Sequence, residues 1–180
     1  ITNVSESQYQ SFFGGTQTQQ STSCGSGIIV SQDADNLYIA TNNHVVEGAD
    51  SLTVAFSDNT TVSAEIKGTD PSTDLAVIRV ALSSIDSDTL NTIKVATLGN
   101  SDDLKAGQAA IAIGNALGYG TSVTVGYISA VDREVASEDV NMKLLQTDAA
   151  INPGNSGGAL VDDEGKVIGI NSSKYSDTSV

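Results

Sequence analysis

The sequence has one histidine, one cysteine and only eight basic residues against 22 acidic ones. A single cysteine cannot form a disulfide within the chain, so the fold must depend on packing. One histidine and one cysteine are too few for an ordinary zinc site, and we expect neither a metal nor another cofactor. A formal net charge of −14, without a basic stripe, argues against nucleic acid as a partner. The acidity indicates a soluble, self-repelling surface.

Long apolar runs are also missing. No segment is long enough to span a bilayer. Residues 1–20 begin polar and uncharged, unlike a signal peptide. We therefore expect a mature or trimmed segment of a longer chain, whose true N terminus the sequence leaves open.

Short apolar runs bounded by Asp, Asn, Gly or Ser dominate the chain, and helical periodicity is nearly absent. They predict strands at 27–31, 37–41, 52–56, 61–66 and 75–80, and a second set at 109–114, 121–131, 142–147, 159–162 and 166–173. We expect an all-β fold of two antiparallel barrels or sandwiches. The boundaries are an N-terminal segment at 1–21, a first barrel at 22–82, a connector at 83–94 and a second barrel at 95–180.

The stretch NPGNSGG at 152–158 places Ser156 in a tight turn. Pro presets φ, while Gly and Asn tolerate a positive φ. Such a turn can direct backbone N–H groups into a small concavity, as an oxyanion requires. The same residues would also suit a simple hairpin, so Ser156 is either a nucleophile or one more turn serine.

A serine nucleophile needs a general base, normally a histidine held by a carboxylate. His44 is the sole histidine and follows the apolar run at 37–41, although a lone histidine is often a surface or satisfied core residue. Asp74 directly precedes the apolar run at 75–80, where a buried carboxylate would need a partner such as a histidine N–H. The alternative is a solvated turn aspartate like Asp70, and composition does not separate the two.

The order of these residues along the chain narrows the choice. GNSGG matches the G-x-S-x-G nucleophile elbow, but that fold places the histidine after the serine, and none follows Ser156. The order Asp, His, Ser would need Asp33 or Asp35 in an α/β fold, which the strand pattern opposes. The remaining order is His44, Asp74, Ser156 on an all-β chain, which is the chymotrypsin-like order.

Three segments resemble a known family: TNNHVV around His44, TDPSTDLAV around Asp74 and TDAAINPGNSGGAL around Ser156. They are similar to the motif blocks of the HtrA/DegP family of chymotrypsin-like serine proteases. GSGIIV at 25–30 and LGNSDDLKAGQ at 98–108 resemble it too, so the likeness covers about 22–173 in order and spacing. The resemblance implies two six-stranded antiparallel β-barrels, the second incomplete at its C-terminal end in this chain.

The resemblance also implies roles. His44 would be the general base and then the acid, Asp74 would hold its tautomer, and Ser156 would form the acyl-enzyme. The oxyanion hole would lie at Gly154, Asn155 and Ser156, with the amides of the first and last as donors. The implied activity is ATP-independent degradation of unfolded or damaged proteins outside the cytoplasm, in the bacterial envelope, periplasm or cell surface.

The residue at the floor of the specificity pocket lies six positions before the nucleophile in chymotrypsin-like enzymes, where Asp selects Arg or Lys. That position holds Ala150, so we expect no preference for basic residues. Ile170, Asn171 and Ser172 would form the wall of a small apolar pocket. The resemblance implies cleavage after Val, Ala, Ile or Thr.

Family members are usually trimers joined through N-terminal aromatic residues, which makes Tyr9, Phe12 and Phe13 candidates for a homotrimer contact. From the sequence alone, these side chains could equally cover a barrel end. The resemblance implies one or two PDZ domains after the protease domain, none of which lies in this chain, and leaves a membrane anchor in the parent chain open. It also implies activation by rearrangement of 149–155 and of residues after 172.

Two other functions stay open at this stage. One is a chaperone-like holdase whose active site is latent, and the other is a serine esterase using the same triad. An intact His44, Asp74 and Ser156 set argues against a degenerate site but not against a latent one.

Overall fold

The computed structural model describes residues 1–10, 16–115, 120–137 and 140–173, which fold into two antiparallel sheets. The first contains β1 (Thr2–Gln10), β2 (Thr16–Cys24), β3 (Ile28–Gln32), β4 (Asn36–Asn42), β5 (Ser51–Ala55), β6 (Thr61–Asp70) and β7 (Leu75–Ala81). The second contains β8 (Ala109–Gly114), β9 (Ser122–Ser137), β10 (Val140–Thr147), β11 (Ala159–Val161) and β12 (Val167–Ile170). The spatial orders are β2-β1-β5-β6-β7-β4-β3 and β10-β9-β8-β11-β12. The all-β prediction is confirmed.

Helices are few and short. Helix α1 (Asn43–Val46) follows β4 directly. Along the chain, α2 (Ser87–Thr92) comes between β7 and β8, with 3-10 turns on either side of it at Leu82–Ser84 and Ser101–Asp103. In the described ranges, no helix is long and apolar enough to cross a membrane. Helix α2 lies within the predicted connector, whose weak apolar pattern did not indicate a helix.

Alternating apolar side chains build the core of the first sheet. Leu37 and Ile39 on β4 lie opposite Val80 and Ile78 on β7, and all four are at most 3% exposed. Residues directly opposite one another share a face of the sheet, so these side chains pack together. Burying each one stabilises the fold by about 1.5–3 kcal/mol, which fixes the register of the two strands.

This register positions the candidate site. Asn42 at the end of β4 pairs with Leu75 at the start of β7. Helix α1 therefore begins beside the residue that precedes β7. The predicted base His44 lies in α1 and the predicted carboxylate Asp74 immediately precedes β7, so the pairing brings them together.

The N-terminal segment differs from the prediction. Strands β1 and β2 form a hairpin, and β1 pairs Thr2 with Thr53 of β5, so the first sheet begins at Thr2 and not at residue 22. Among the described residues, the sheets hold seven and five strands instead of six each. Tyr9 lies in β1, whereas Phe12 and Phe13 fall outside the described residues.

Candidate active site

Asp74 holds His44 through two hydrogen bonds. Asp74 Oδ2 lies 2.7 Å from His44 Nδ1, and the backbone N–H of His44 donates to Oδ1 at 3.0 Å. Asp74 is 2% exposed. A buried carboxylate that accepts the Nδ1 proton orients the ring and leaves Nε2 as the basic nitrogen. The solvated-turn alternative is therefore wrong for Asp74, and it describes Asp70, which is exposed and accepts from Ser72 and Thr73.

The backbone of Asp74 is held in an unusual conformation. Its φ is +54°, in the left-handed region that costs an L-residue about 1–2 kcal/mol, although Asp and Asn visit it more readily than most. Its carbonyl accepts from Asn43 N–H and from Asn42 Nδ2, each at 3.0 Å. The end of β4 thus fixes the backbone of Asp74 as well as its carboxylate, which directs the side chain at His44.

Ser156 lies in the turn that precedes β11. The N–H of Asn155 donates to the carbonyl of Asn152 at 3.0 Å, with Pro153 and Gly154 between them. Gly154 has a φ of +96°. Pro followed by Gly at positive φ is typical of a type II turn. The predicted turn chemistry is confirmed, and Ser156 follows the turn directly.

The turn packs closely against the first sheet. A Cβ on Gly25 would lie 2.7 Å from the side chain of Val45 and 3.0 Å from the carbonyl oxygen of Ser156. Only glycine therefore suits this position. Because Val45 follows His44, the segments that carry His44 and Ser156 meet on two sides of Gly25.

The hydroxyl of Ser156 is bonded to Ser173. Its Oγ lies 2.8 Å from Ser173 Oγ and accepts from the backbone N–H of Ser173 at 3.1 Å. Within the described part of the chain, no hydrogen bond joins Ser156 to His44. Ser156 is 3% exposed, so water competes little for its hydroxyl.

Two backbone amides of the turn have no protein acceptor among the described residues, those of Gly154 and Ser156. Unpaired amides fixed in one place are the donors that an oxyanion requires. Asn155 does not add a third, because its amide is committed to the Asn152 carbonyl. Its side chain is 1% exposed and accepts from Ser122 Oγ at 3.1 Å. Asn155, which was predicted as part of the oxyanion hole, supports the turn from inside, and the predicted donors stay the amides of Gly154 and Ser156.

A groove of about 1090 Å³ lies between the Asp74 segment and the second sheet. Ile170, Asn171 and Ser172 of the predicted pocket line it, with Ile151 and Leu160 as apolar neighbours. Ala150 is not part of the lining: it is exposed, and its carbonyl accepts from Thr124 Oγ1 at 2.9 Å. The structure therefore brings only part of the predicted pocket together.

Asn171 lines the groove, but its side chain is bonded inside the protein. It is 4% exposed, and its Nδ2 donates to the carbonyls of Ile113 at 3.2 Å and Ala159 at 2.9 Å. Its backbone exchanges hydrogen bonds with Gly157 N–H and the Gly158 carbonyl, each at 2.9 Å. Asn171 therefore fastens the end of β12 to the turn of Ser156.

Ser26 and Ser173 were not found from the sequence. Ser26 Oγ donates to the carbonyl of Gly154 at 2.8 Å, across a sequence separation of 128 residues. Serine is common in turns and at strand ends, and a partner so distant leaves no periodic or spacing signal. The segment GSGIIV indicated only a family likeness and no structural or functional role for Ser26.

No group of three or more His, Cys, Asp and Glu suited to a metal ion occurs in the described ranges. Cys24, the free cysteine, is exposed at the end of β2.

Comparison with known proteins gives consistent matches. The profile of the family described as "Trypsin-like peptidase domain" matches residues 25–170. Serine protease Do-like HtrA of Bacillus subtilis (strain 168) is 43% identical over 190 residues, which cover 100% of this chain and 41% of the relative. A probable periplasmic serine endoprotease DegP-like of Halomonas elongata is 49% identical, over 86% of this chain and 30% of that protein. The chain thus spans about two fifths or less of the length of these relatives.

Solved structures agree over nearly the whole chain. A variant of the HtrA-type protease AlgW with a decapeptide gives a TM-score of 0.81 at 37% identity, covering 98% of this chain and 55% of that chain. AlgW with a tripeptide gives 0.70 at 38% identity, covering 94% and 50%. The two-sheet fold is therefore shared with HtrA-type proteases.

Proposed function

This chain belongs to the HtrA/DegP group of the trypsin-like peptidase domain family, and on that premise we propose that it is a serine endopeptidase acting on unfolded proteins. The observation that carries the proposal is the buried Asp74–His44 pair. It lies next to a turn in which the Gly154 and Ser156 amides have no protein acceptor among the described residues. A general base, a hydroxyl and two aligned amides are what acyl transfer requires.

In the proposed mechanism, Ser156 Oγ exchanges its contact with Ser173 for one with His44 Nε2 and attacks the scissile carbonyl carbon. The hydroxyl proton passes to Nε2, and Asp74 stabilises the imidazolium through Nδ1–H. The amides of Gly154 and Ser156 bind the oxygen that becomes negative. His44 then returns the proton to the leaving amine, and water hydrolyses the acyl-enzyme by the same steps.

We further propose cleavage after small aliphatic residues, with Val, Ala, Ile or Thr before the scissile bond. Ala150 in place of an acidic residue offers no partner for Arg or Lys. Ile170 borders the groove described above and presents an apolar side chain. Hydrolysis through an acyl-enzyme needs no nucleotide, which supports an ATP-independent reaction.

Assembly and location are proposals of the same kind. We propose a homotrimer joined through the segment that carries Tyr9, Phe12 and Phe13, placed outside the cytoplasm in the cell envelope and engaged in protein quality control. The relative in Halomonas elongata is named as probably periplasmic, which supports the location. Light scattering on the purified protein would give the mass of the assembly, and a monomer would contradict the trimer.

One observation favours a second candidate, a holdase with a latent site. Ser156 is bonded to Ser173 and not to His44 in the described residues. A protein kept in this state would bind unfolded chains without cutting them. A serine esterase would instead turn over activated esters while leaving peptide bonds intact.

Digestion of unfolded casein by the protein and its Ser156→Ala variant separates these functions. We expect cuts after small aliphatic residues, read from product termini by mass spectrometry, and none with the variant. Ester turnover without peptide cleavage would indicate an esterase. Suppression of casein aggregation by both forms, without cleavage, would indicate a holdase. Cuts after Arg or Lys would contradict the pocket but leave the mechanism standing.

A further inference from the structure

Ser26 connects the two sheets at the turn of the nucleophile. We propose that it is a positioning residue for the oxyanion hole. From the link between β2 and β3 it holds the carbonyls of Gly154 and Ser156, and so fixes the two peptide units on either side of the one that carries the Ser156 amide; the first of these units also directly follows Gly154. The inference rests on the proposed function, because an oxyanion hole matters only if Ser156 attacks a carbonyl.

Four hydrogen bonds surround Ser26, which is 8% exposed. Its N–H donates to the carbonyl of Ser156 at 2.7 Å, and its Oγ donates to the carbonyl of Gly154 at 2.8 Å. The same Oγ accepts from Asn115 N–H at 2.8 Å, and its carbonyl accepts from Thr41 Oγ1 at 2.7 Å. Every polar group of Ser26 is thus engaged.

The direction of the Ser26 hydroxyl follows from these partners. Asn115 N–H can only donate, so it occupies a lone pair of Ser26 Oγ. A carbonyl can only accept, so the single hydroxyl proton must go to Gly154. Because the site is buried, water substitutes poorly for a lost partner. The contact with Gly154 is therefore directional.

The three consecutive carbonyls of the turn are all occupied. Ser26 holds those of Gly154 and Ser156, and Gly158 N–H donates to that of Asn155 at 2.9 Å. Since a peptide unit is planar, fixing a carbonyl also fixes the N–H on the same plane. The plane that carries the Ser156 amide is thus held through the Asn155 carbonyl.

Gly154 is the residue of this turn whose backbone can rotate most freely. Its φ of +96° lies in a region that glycine enters freely, and glycine lets the peptide units on either side rotate. The unit after it is held by Ser26 Oγ. The same unit carries the Asn155 N–H, which donates to the Asn152 carbonyl, so loss of the Ser26 bond removes one of its two anchors. Rotation at Gly154, which sets the angle between this unit and the one that carries the Gly154 amide, is then less restrained. Ser26 therefore acts on the oxyanion through Gly154, without touching the substrate.

The test compares two isosteric variants, Ser26→Thr and Ser26→Val. They add the same bulk, but only Thr keeps the hydroxyl. We expect the Val variant to lose roughly 10- to 100-fold in kcat relative to the Thr variant, less than the 10²–10³ for complete loss of a donor. KM for an extended peptide should agree within about twofold. Affinity for a peptide boronic acid, which forms a tetrahedral adduct on Ser156, should fall in parallel with kcat.

Thr41→Val is the matched control. Its hydroxyl is also buried and also bonds to Ser26, but through the Ser26 carbonyl and not through the oxyanion turn. We expect it to lower the melting temperature while kcat stays within about twofold of the unmodified protein, at a temperature where both are folded.

A kcat loss in Ser26→Val no larger than in Ser26→Thr or Thr41→Val would overturn the inference, as would a loss confined to KM. Failure of the proposed function appears separately, in the unmodified protein: no casein cleavage and no boronic acid adduct on Ser156. That result would remove both proposals together. Cleavage by the unmodified protein with equal Thr and Val variants would remove the role of Ser26 alone.

Discussion

Replacing Asp74 with Asn is expected to lower kcat by about 10⁴-fold while the protein stays folded. Asp74 presents two acceptor oxygens, one to the backbone N–H of His44 at 3.0 Å and one to the ring Nδ1 at 2.7 Å. A carboxamide of the same shape offers one acceptor and one donor. With its oxygen on the backbone N–H, its NH₂ group faces Nδ1 and the ring proton moves to Nε2.

That tautomer cannot accept the proton of Ser156, and the neutral amide no longer stabilises an imidazolium. A loss of 10⁴ corresponds to about 5.4 kcal/mol in the activation free energy. Asn tolerates a positive φ about as well as Asp, so the +54° backbone of residue Asp74 should add little strain to the variant. The loss is therefore expected in kcat and not in the melting temperature.

The assay is steady-state cleavage of a fluorogenic peptide with Val at the cleavage site, with unfolding followed by circular dichroism. Asp70→Asn is the matched control, because Asp70 lies in the same segment but accepts only from Ser72 and Thr73 at the surface. We expect it to retain kcat within about twofold, since changes at exposed positions are usually small. A loss below tenfold in Asp74→Asn, or one equal to that of Asp70→Asn, would refute the reasoning.

Three further predictions concern stability and the contact between Ser156 and Ser173. In Gly157→Ala, φ is +82° and the new Cβ would run into atoms of the first sheet, so the free energy of unfolding in urea should fall by about 2 kcal/mol or more; an unchanged midpoint would contradict this. Ser173→Ala should speed labelling of Ser156 by a phosphonofluoridate roughly three- to tenfold, the worth of one net hydrogen bond, and a slower rate would count against a resting contact. The hydroxyl of Thr89 lowers the pKa of the Asp58 carboxyl below its usual 3.8, so this stabilisation is present above pH 3.8 and is lost as the pH falls through the lowered pKa. Thr89→Val should therefore flatten the dependence of melting temperature on pH below 3.8, and an unchanged slope would show that the bond contributes nothing.

The strands and the Asp74–His44 pair were predictable because the sequence patterns that mark them are local. Apolar alternation along β4 and β7 marks both strands, and the buried face of each follows from period two. The position of His44 after one strand and Asp74 before another, with Ser156 later in the chain, then indicated the order of a triad. Pairing of Asn42 with Leu75 turns that order into contact.

The hairpin of β1 and β2 could not be predicted in the same way. Most of its residues are Gln, Ser or Thr, so no apolar alternation marks it. The hairpin joins the sheet through backbone pairing with β5, which any residue except proline can supply, and through the Asn3 side chain, which donates to the carbonyls of Val45 and Glu47. Asn171 shows a related limit. It lines the groove next to Ile170, but its side chain turns inward because the carbonyls of Ile113 and Ala159 need a donor, and no local sequence pattern marks such partners.

The contact between Ser156 and Ser173 also bears on how the site becomes active. The family resemblance implied rearrangement of 149–155, yet the turn there already leaves the Gly154 and Ser156 amides without protein acceptors among the described residues. Ser156 makes two hydrogen bonds with Ser173 and none with His44 among the described residues. Breaking two such bonds costs about 1–3 kcal/mol net, within reach of the hydrogen bonds that a peptide backbone can form with an exposed strand end. The contact between Ser156 and Ser173 is thus weak enough for a substrate bound beside β12 to replace it, and such an exchange involves none of the bonds that join Asp74 to His44.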